Sequence, residues 1–194
     1  MIDNFKQVRS MLAFNTPNTF YFVQVIKRRK DNPGLPRDEK KICEYSIYSL
    51  EEFDKREVQI KEEADDNNAR VYIHLTTRDA YKIALKTLLL IGEHIDTGSP
   101  KAARYAYASA CGRYPDKKNG AIWLIDVDVK ENSFVQEMLD LLSTLSVKIY
   151  DVLPTKNGSH IITSPFRRGV FKSKYPDIGI QTDALSLLYM PDIK

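Results

Sequence analysis

The stretch VKIYDVLPTKNGSHIITSPF, residues 147–166, contains the strongest hairpin-turn signal of the sequence. Its two arms, 147–155 and 159–166, are rich in β-branched and aromatic residues, a composition that favours β-strands. Between the arms lies Asn157-Gly158, a pair typical of a two-residue hairpin turn because both residues accept a positive φ. The stretch therefore predicts a β-hairpin.

Helix and strand patterns alternate on either side of this hairpin. Residues 121–129, AIWLIDVDV, form an apolar run typical of a strand, and 133–145 repeat large apolar residues at helical spacing. After the hairpin, 167–177 predict a short helix and 184–191, ALSLLYMP, predict a final strand. The resulting order, β-α-β-β-α-β, is that of a split-βαβ, ferredoxin-like unit.

The N-terminal half carries a second set of elements. Apolar periodicity predicts helices at 1–14, 50–64 and 77–96, strands at 19–27, 40–49 and 69–76, and a short helix within 100–111. The residues of helix 77–96 expected to face inward are Tyr81, Ala84, Leu85, Leu88 and Ile91. We predict an α+β fold, one catalytic-core-like domain over 1–194, in which an N-terminal α/β unit (1–118) packs on an RRM-like split-βαβ unit (119–194).

Bulk composition sets broad limits on the function. The 194 residues are 43% hydrophobic and 28% charged, as expected for a soluble globular protein. No apolar run approaches about 18 residues and the N-terminus is unlike a secretory signal, so we expect a cytoplasmic protein without a membrane partner. The net charge of +3 does not by itself indicate nucleic-acid binding, but basic runs at 27–31 and 166–174 are candidate phosphate contacts.

Three chemically active side chains are predicted to meet in the second half. The first and third strands of a split-βαβ unit are antiparallel neighbours, so the end of the first lies beside the start of the third. Asp126 and Asp128 end the first strand, and His160 begins the third. Alternation places both aspartates on one face of the sheet, where two carboxylates suit Mg²⁺ or Mn²⁺ together with substrate phosphates. An acid pair taken alone more often marks only the polar exit of a strand into a loop.

These motifs resemble the catalytic core of archaeo-eukaryotic-type primases and primase-polymerases. LIDVD (124–128) is similar to the acid pair of that family, and NGSHIIT (157–163) to its histidine motif. The segment TKNGSHIITSPF (155–166) also resembles segments of domains found in Bacteroides-type gut bacteria and their phages. The resemblance implies a metal-dependent nucleotidyltransferase that uses Mg²⁺ or Mn²⁺, a DNA or RNA template and nucleoside triphosphates, with other replication proteins as further partners.

The resemblance also implies a role for individual residues. The catalytic residues would be Asp126, Asp128 and His160. The metal ligands would be Asp126, Asp128 and, as the third acid, Asp183. Further contacts to nucleotide phosphates would come from Lys156, Ser159, Arg167 and Arg168. The chain departs from the family pattern at Gly179, where the third acid is expected, and Asp177 is the second candidate after Asp183.

Two other interpretations remain open. The chain is alternatively a non-catalytic nucleic-acid-binding or replication-associated domain with a degenerate metal site, which Gly179 favours. It is also interpretable as a small interaction protein whose acids are structural. The absence of KxDG and GxxxxGK[ST] motifs disfavours RNA-ligase and P-loop chemistry.

Overall fold

The structure, a computed structural model, describes residues 1–183 and 185–192. Within these residues the chain forms nine strands and six α-helices. The strands are β1 (Ile2–Asp3), β2 (Thr19–Arg28), β3 (Glu39–Ile47), β4 (Arg70–Asp79), β5 (Trp123–Val127), β6 (Ile149–Pro154), β7 (Ser159–Thr163), β8 (Gly179–Gln181) and β9 (Leu185–Met190). The helices are α1 (Phe5–Met11), α2 (Leu50–Asn67), α3 (Ala80–Asp96), α4 (Ala106–Arg113), α5 (Asn132–Thr144) and α6 (Arg168–Lys174). The predicted α+β class is confirmed.

The first sheet has the strand order β1-β9-β4-β2-β3, and its neighbouring strands are antiparallel. Its inner strands β2 and β4 are buried along nearly their whole length, as expected for strands that are covered on both faces. Helices α1 and α2 cover one face, where Val8 and Phe53 join the core. Helices α3 and α4 cover the other face, where Ile83 packs with Phe20 and Phe22.

The second sheet has the order β6-β7-β5-β8, which is the strand order of a split-βαβ unit. On one face, Ile125 and Val127 of β5 pack under α5 and α6. On the other face, Leu124 and Ile162 pack into the hydrophobic core that the first sheet forms with α1 and α2. Leu153 of β6 belongs to the same core. This alternation confirms the predicted faces of β5 and directs Asp126 towards the first sheet.

The last strand belongs to the first sheet. The prediction that 184–191 complete the split-βαβ unit is wrong, because β9 pairs with β4 and β1, and β8 is the fourth strand instead. Five of the six residues of β9 are buried, which suits an inner strand better than the edge of the smaller sheet. Ala184 lies outside the described residues. Through β9 the chain returns from the second sheet and ties the two sheets together.

Helix α3 faces the opposite way from the prediction. Of the residues expected to face inward, Tyr81, Ala84, Leu85 and Leu88 are exposed and Ile91 is half-buried. Ile83 and Leu90 are the buried residues of the helix. Both sets recur at helical spacing, so periodicity alone could not choose between them, and packing against β2 and α4 decides. Among the described residues, none of the helices is both long and apolar enough to cross a lipid bilayer.

The loop between β6 and β7 differs from the predicted turn. Neither Asn157 nor Gly158 has a positive φ, so a two-residue turn of the primed type is wrong. Thr155 closes the loop: its N–H donates to the carbonyl of Gly158 at 2.9 Å, and its Oγ1 accepts from the N–H of Gly158 at 3.1 Å. Glycine is needed for a different reason. A Cβ at Gly158 would lie 1.9 Å from the carbonyl oxygen of Val127 and 2.7 Å from the nitrogen of Val129.

We predict that Gly158→Ala lowers the free energy of unfolding by about 3 kcal/mol, the upper end for overpacking, because the clash is with backbone atoms. Urea denaturation measures the change. The matched control is Gly169→Ala in α6, where the new methyl group meets open space and the helix is stabilised by up to about 1 kcal/mol. Equal midpoints for Gly158→Ala and the wild type would contradict the close approach of the loop to β5.

Candidate functional site

A cavity of about 250 Å³ lies where the end of β2 and the start of β4 meet the β6–β7 loop and the end of β5. The first sheet and the loop after β2 supply three cations to its wall, and the second sheet with its β6–β7 loop supplies a fourth, together with two carboxylates and an imidazole. These residues are Arg28, Lys30, Arg70, Lys156, Asp126, Asp128 and His160. Four of the residues predicted for the site therefore share one cavity.

His160 and Asp126 face each other across the two central strands of the second sheet. They are partners in the β5–β7 register, and Nε2 of His160 lies 3.5 Å from Oδ1 of Asp126. The N–H of Leu187 donates to Nδ1 of the same imidazole at 3.4 Å, and Oγ of Ser186 lies 3.2 Å from Nδ1. Because Nδ1 accepts a hydrogen bond, the proton of the neutral ring lies on Nε2, directed at the carboxylate.

Asp126 is held in its ionised form. Its hydrogen-bonding contact with His160 lowers its pKa, partial burial opposes this, and electrostatic attraction to His160 and Lys30 lowers the pKa further. Asp128 directly follows the end of β5 and is exposed at the wall of the same cavity. Both carboxylates are therefore accessible from the cavity, and Asp126 is charged at neutral pH.

Asp31 forms a buried ion cluster that joins the two sheets behind this wall. Its carboxylate, 1% exposed, accepts hydrogen bonds from Nε and a terminal nitrogen of Arg70 at 2.6 and 2.8 Å. It also accepts one from Nζ of Lys156 at 3.0 Å. Burial raises the pKa of Asp31, but the hydrogen bonds from Arg70 and Lys156 outweigh it, and the pKa lies below its ordinary value. The cluster fixes both cations at the cavity wall.

The cations of the cavity are not fully neutralised by its acids. Burial lowers the pKa of Lys30, and repulsion from Arg70 and Arg28 lowers it further, whereas Asp31 and Asp128 act in the opposite direction. Four cations line the cavity, and three carboxylates oppose them when Asp31, the partner of Arg70 and Lys156, is counted with Asp126 and Asp128, so one positive charge is left over. An anion that entered the cavity would relieve this repulsion, so the charge pattern favours an anionic ligand.

Asp183 does not lie in this cavity, and the prediction that it is the third metal ligand is corrected here. Both of its oxygens accept hydrogen bonds from the fully buried guanidinium of Arg78, at 3.3 and 2.7 Å. Nδ1 of His74 lies 3.3 Å from Oδ2 of the same carboxylate. Burial raises the pKa of Asp183, but His74 and Arg78 lower it more strongly. The carboxylate thus neutralises a buried arginine and does not line the cavity.

The position expected for the third acid has no side chain. Gly179 is the register partner of Asp126 on β8, and a Cβ there would lie 3.8 Å from the Cβ of Asp126. Asp177 is exposed and does not line the cavity. Over residues 1–183 and 185–192, no three histidine, cysteine or acidic side chains cluster as a metal site.

Three predicted phosphate contacts lie away from the cavity. The guanidinium of Arg168 lies 5.5 Å from the ring centroid of Trp123, which alternates with Asp126 and so points to the opposite face of the sheet. Arg167 directly precedes α6. Ser159 pairs with Val127 in the β-ladder. None of the three lines the cavity. The two arginines were predicted to lie at the site because the predicted topology does not show which face of the sheet α6 covers.

Some cavity residues that were not predicted as site residues do carry a signal in the sequence. Lys30 and Arg28 lie in the basic run 27–31, and Asp31 closes that run. Arg70 directly precedes three apolar residues at the start of a strand, and a charged residue that is buried in such a position requires a partner. Its partner, however, is 39 residues distant in the chain, and only the packed structure identifies it.

Comparison with protein-family models, with curated proteins and with solved structures finds no match to this chain.

Two buried groups, His74 and Asp31, and the half-buried Asp183 make the stability fall in acid. The pKa of His74 is lowered by burial, and those of Asp31 and Asp183 lie below their ordinary value. In each case the unfolded chain binds the proton more tightly, so stability is lost as the pH falls through the folded pKa. We expect the urea midpoint to decrease below pH 6.5, where His74 of the unfolded chain binds a proton, and more steeply below pH 3.8, where the two aspartates of the unfolded chain do so. These pH values are the ordinary pKa values of histidine and aspartate side chains. A midpoint that stays constant or rises from neutral pH to pH 3.8 would contradict this assignment.

Proposed function

We propose that this chain is a metal-dependent nucleotidyltransferase of primase-polymerase type, which binds nucleoside triphosphates in the cavity and acts on nucleic acid. The observation that carries the proposal is one cavity in which an accessible acid pair and a histidine face a surplus of cations. The primase-polymerase plan, an α/β unit packed on an RRM-like unit with the site between them, agrees with this location.

The lysines and arginines of the cavity would bind the phosphates. Lys156 is anchored through Asp31, yet 44% of its side chain is exposed, so its ammonium group can donate to a ligand as well. Lys30 and Arg28 line the same wall. Charge-assisted hydrogen bonds from such groups are the strong contacts in phosphate sites. A volume of about 250 Å³ is below the usual range for whole small-molecule ligands, so we expect it to hold the phosphates and leave the base outside.

The acid pair fits one divalent cation. Mg²⁺ is commonly held by one or two carboxylates, with water and substrate phosphates completing its octahedron, and Asp126 and Asp128 meet that requirement. A three-acid set is not met, given Gly179 opposite Asp126. When bound, the ion would neutralise phosphate charge and lower the pKa of the attacking hydroxyl group.

The remaining residues position the reactants. Phosphoryl and nucleotidyl transfer need little covalent help from the protein, and most of the catalysis is orientation and charge stabilisation. His160 orients Asp126 through Nε2, and its own ring is held by the backbone N–H of Leu187. Lys156 and Lys30 would hold the triphosphate against this acid.

A second candidate is a nucleic-acid-binding domain without catalytic activity. The absent side chain at Gly179 and the engagement of Asp183 by Arg78 favour it, since both remove a third acid from the site. In that case the same cations would bind backbone phosphates, and no transfer reaction would occur.

Calorimetric titration with a nucleoside triphosphate and Mn²⁺ tests the proposal. We expect the wild type to bind and Lys156→Ala to bind about tenfold or more weakly, because one charge-assisted hydrogen bond is lost. The matched control is Lys148→Ala, an exposed lysine beside Tyr150 that does not line the cavity. Absence of binding by the wild type, or equal losses in the two variants, would contradict the proposal. Template-directed primer extension then separates the two candidates.

A further inference from the structure

Helix α3 carries a continuous apolar stripe on its outer side. Tyr81, Leu85 and Leu88 follow each other at helical spacing and are 73%, 57% and 66% exposed. Leu89 and Ile95 extend the stripe and are 50% and 61% exposed. Single exposed apolar residues are common on protein surfaces, but a contiguous row over four turns indicates an interaction surface.

This stripe is distinct from the packed side of the helix and from the cavity. Ile83 and Leu90, on the inner side, pack in a core cluster with Phe20 and Phe22. The cavity lies at the far end of β2, lined by residues such as Arg28. The stripe therefore serves neither the core nor the proposed phosphate site.

Charges border the stripe on one side and change sign along the helix. Lys82, Lys86 and Glu93 lie within about 40° of one another around the helix axis. Nζ of Lys82 lies 3.3 Å from the carbonyl oxygen of Pro115, and Nζ of Lys86 lies 5.0 Å from the ring centroid of Tyr114. The N-terminal half of this border is therefore basic, and the C-terminal half is acidic.

We propose that α3 pairs with the α3 of a second copy of this chain, antiparallel across a two-fold axis. Residues 86 and 93 are equally distant from the point between 89 and 90, so a two-fold axis there sets Lys86 of each copy opposite Glu93 of the other. The same axis brings Lys82 near Asp96. In a parallel two-fold pairing the charged borders of the two copies would lie on opposite sides of the contact, where Lys86 and Glu93 do not meet, so the charge pattern selects the antiparallel arrangement.

A glycine lies at the contact. Gly92 follows Leu88 and precedes Ile95 along the stripe, is exposed, and carries no side chain to separate the helices. Two helices that cross at such a position approach each other closely, and the apolar side chains on either side become buried between them. The pairing buries the stripe in a symmetric, closed dimer.

Analytical ultracentrifugation of the full chain over a concentration series tests the pairing. The wild type is expected to form dimers, and Leu88→Glu is expected to be monomeric at every concentration. The matched control is Val58→Glu on α2, since Val58 is 65% exposed and lies outside the stripe. Both positions are at the surface, so neither variant should unfold, which circular dichroism checks.

Charge reversal tests the antiparallel register separately. Glu93→Lys alone should weaken the dimer about tenfold, because it sets two pairs of like charges together. The double variant Lys86→Glu with Glu93→Lys should restore the wild-type affinity. A wild type that stays monomeric, a dimer that survives Leu88→Glu, or a double variant no stronger than the single one would overturn the proposal.

Discussion

An Asp31→Ala variant is expected to lose about 3–5 kcal/mol of unfolding free energy, the cost of breaking a buried ion pair from one side. The guanidinium of Arg70 would remain buried, with only 7% of its side chain exposed, and would lose both hydrogen bonds that it donates to the Asp31 carboxylate. Lys156 would lose its anchor at the same time. Because the cluster joins the β6–β7 loop to the first sheet, the variant should also weaken triphosphate binding.

Chemical denaturation measures the loss, with Asp38→Ala as the matched control. Asp38 also pairs with an arginine, Arg29, but 93% of its side chain is exposed, so its removal should change stability by at most about 1 kcal/mol. Adding Arg70→Met to Asp31→Ala should recover part of the loss, since the uncompensated charge is then gone. Equal stability of Asp31→Ala and Asp38→Ala would show that the cluster does not stabilise the fold.

An Asp126→Asn variant is expected to lose at least about a hundredfold in nucleotidyl transfer. Loss of a residue that only supports a metal ligand costs about 10–100-fold, and loss of the ligand itself should cost more. Asparagine keeps the shape of the side chain and removes its charge, so the fold and triphosphate binding to Lys156 should remain.

Primer extension with Mn²⁺ measures this effect, and Asp140→Asn on α5 is the matched control, because Asp140 is exposed and remote from the cavity. Nucleotidyl transfer by Asp126→Asn at the wild-type rate would show that Asp126 takes no part in the reaction. Wild-type binding without any transfer, in contrast, would favour the non-catalytic candidate.

The meeting of Asp126 and His160 was predictable because it depends only on topology. In a split-βαβ unit the first and third strands are antiparallel neighbours, so a residue near the end of one must face a residue near the start of the other. The register of β5 with β7 places these two residues as direct partners.

The cation cluster was not predictable in the same way. Asp31 and Lys156 are 125 residues apart, and their contact depends on how the two sheets pack, which no local pattern encodes. The orientation of helix α3 was not predictable either. Leu88 and Leu90 both lie on apolar rows of helical spacing, and the spacing does not show which row is buried. Strand β9 shows a third limit, since an apolar strand does not indicate which of two sheets it joins.

We propose that the cavity between the sheets binds the phosphates of a nucleotide beside the acid pair. A crystal soaked with Mn²⁺ and a non-hydrolysable nucleoside triphosphate tests this binding site. We expect the metal ion at Asp126 and Asp128 and the phosphates at Lys156 and Lys30. Density for the metal ion at Asp183, or for the triphosphate on another surface, would contradict it.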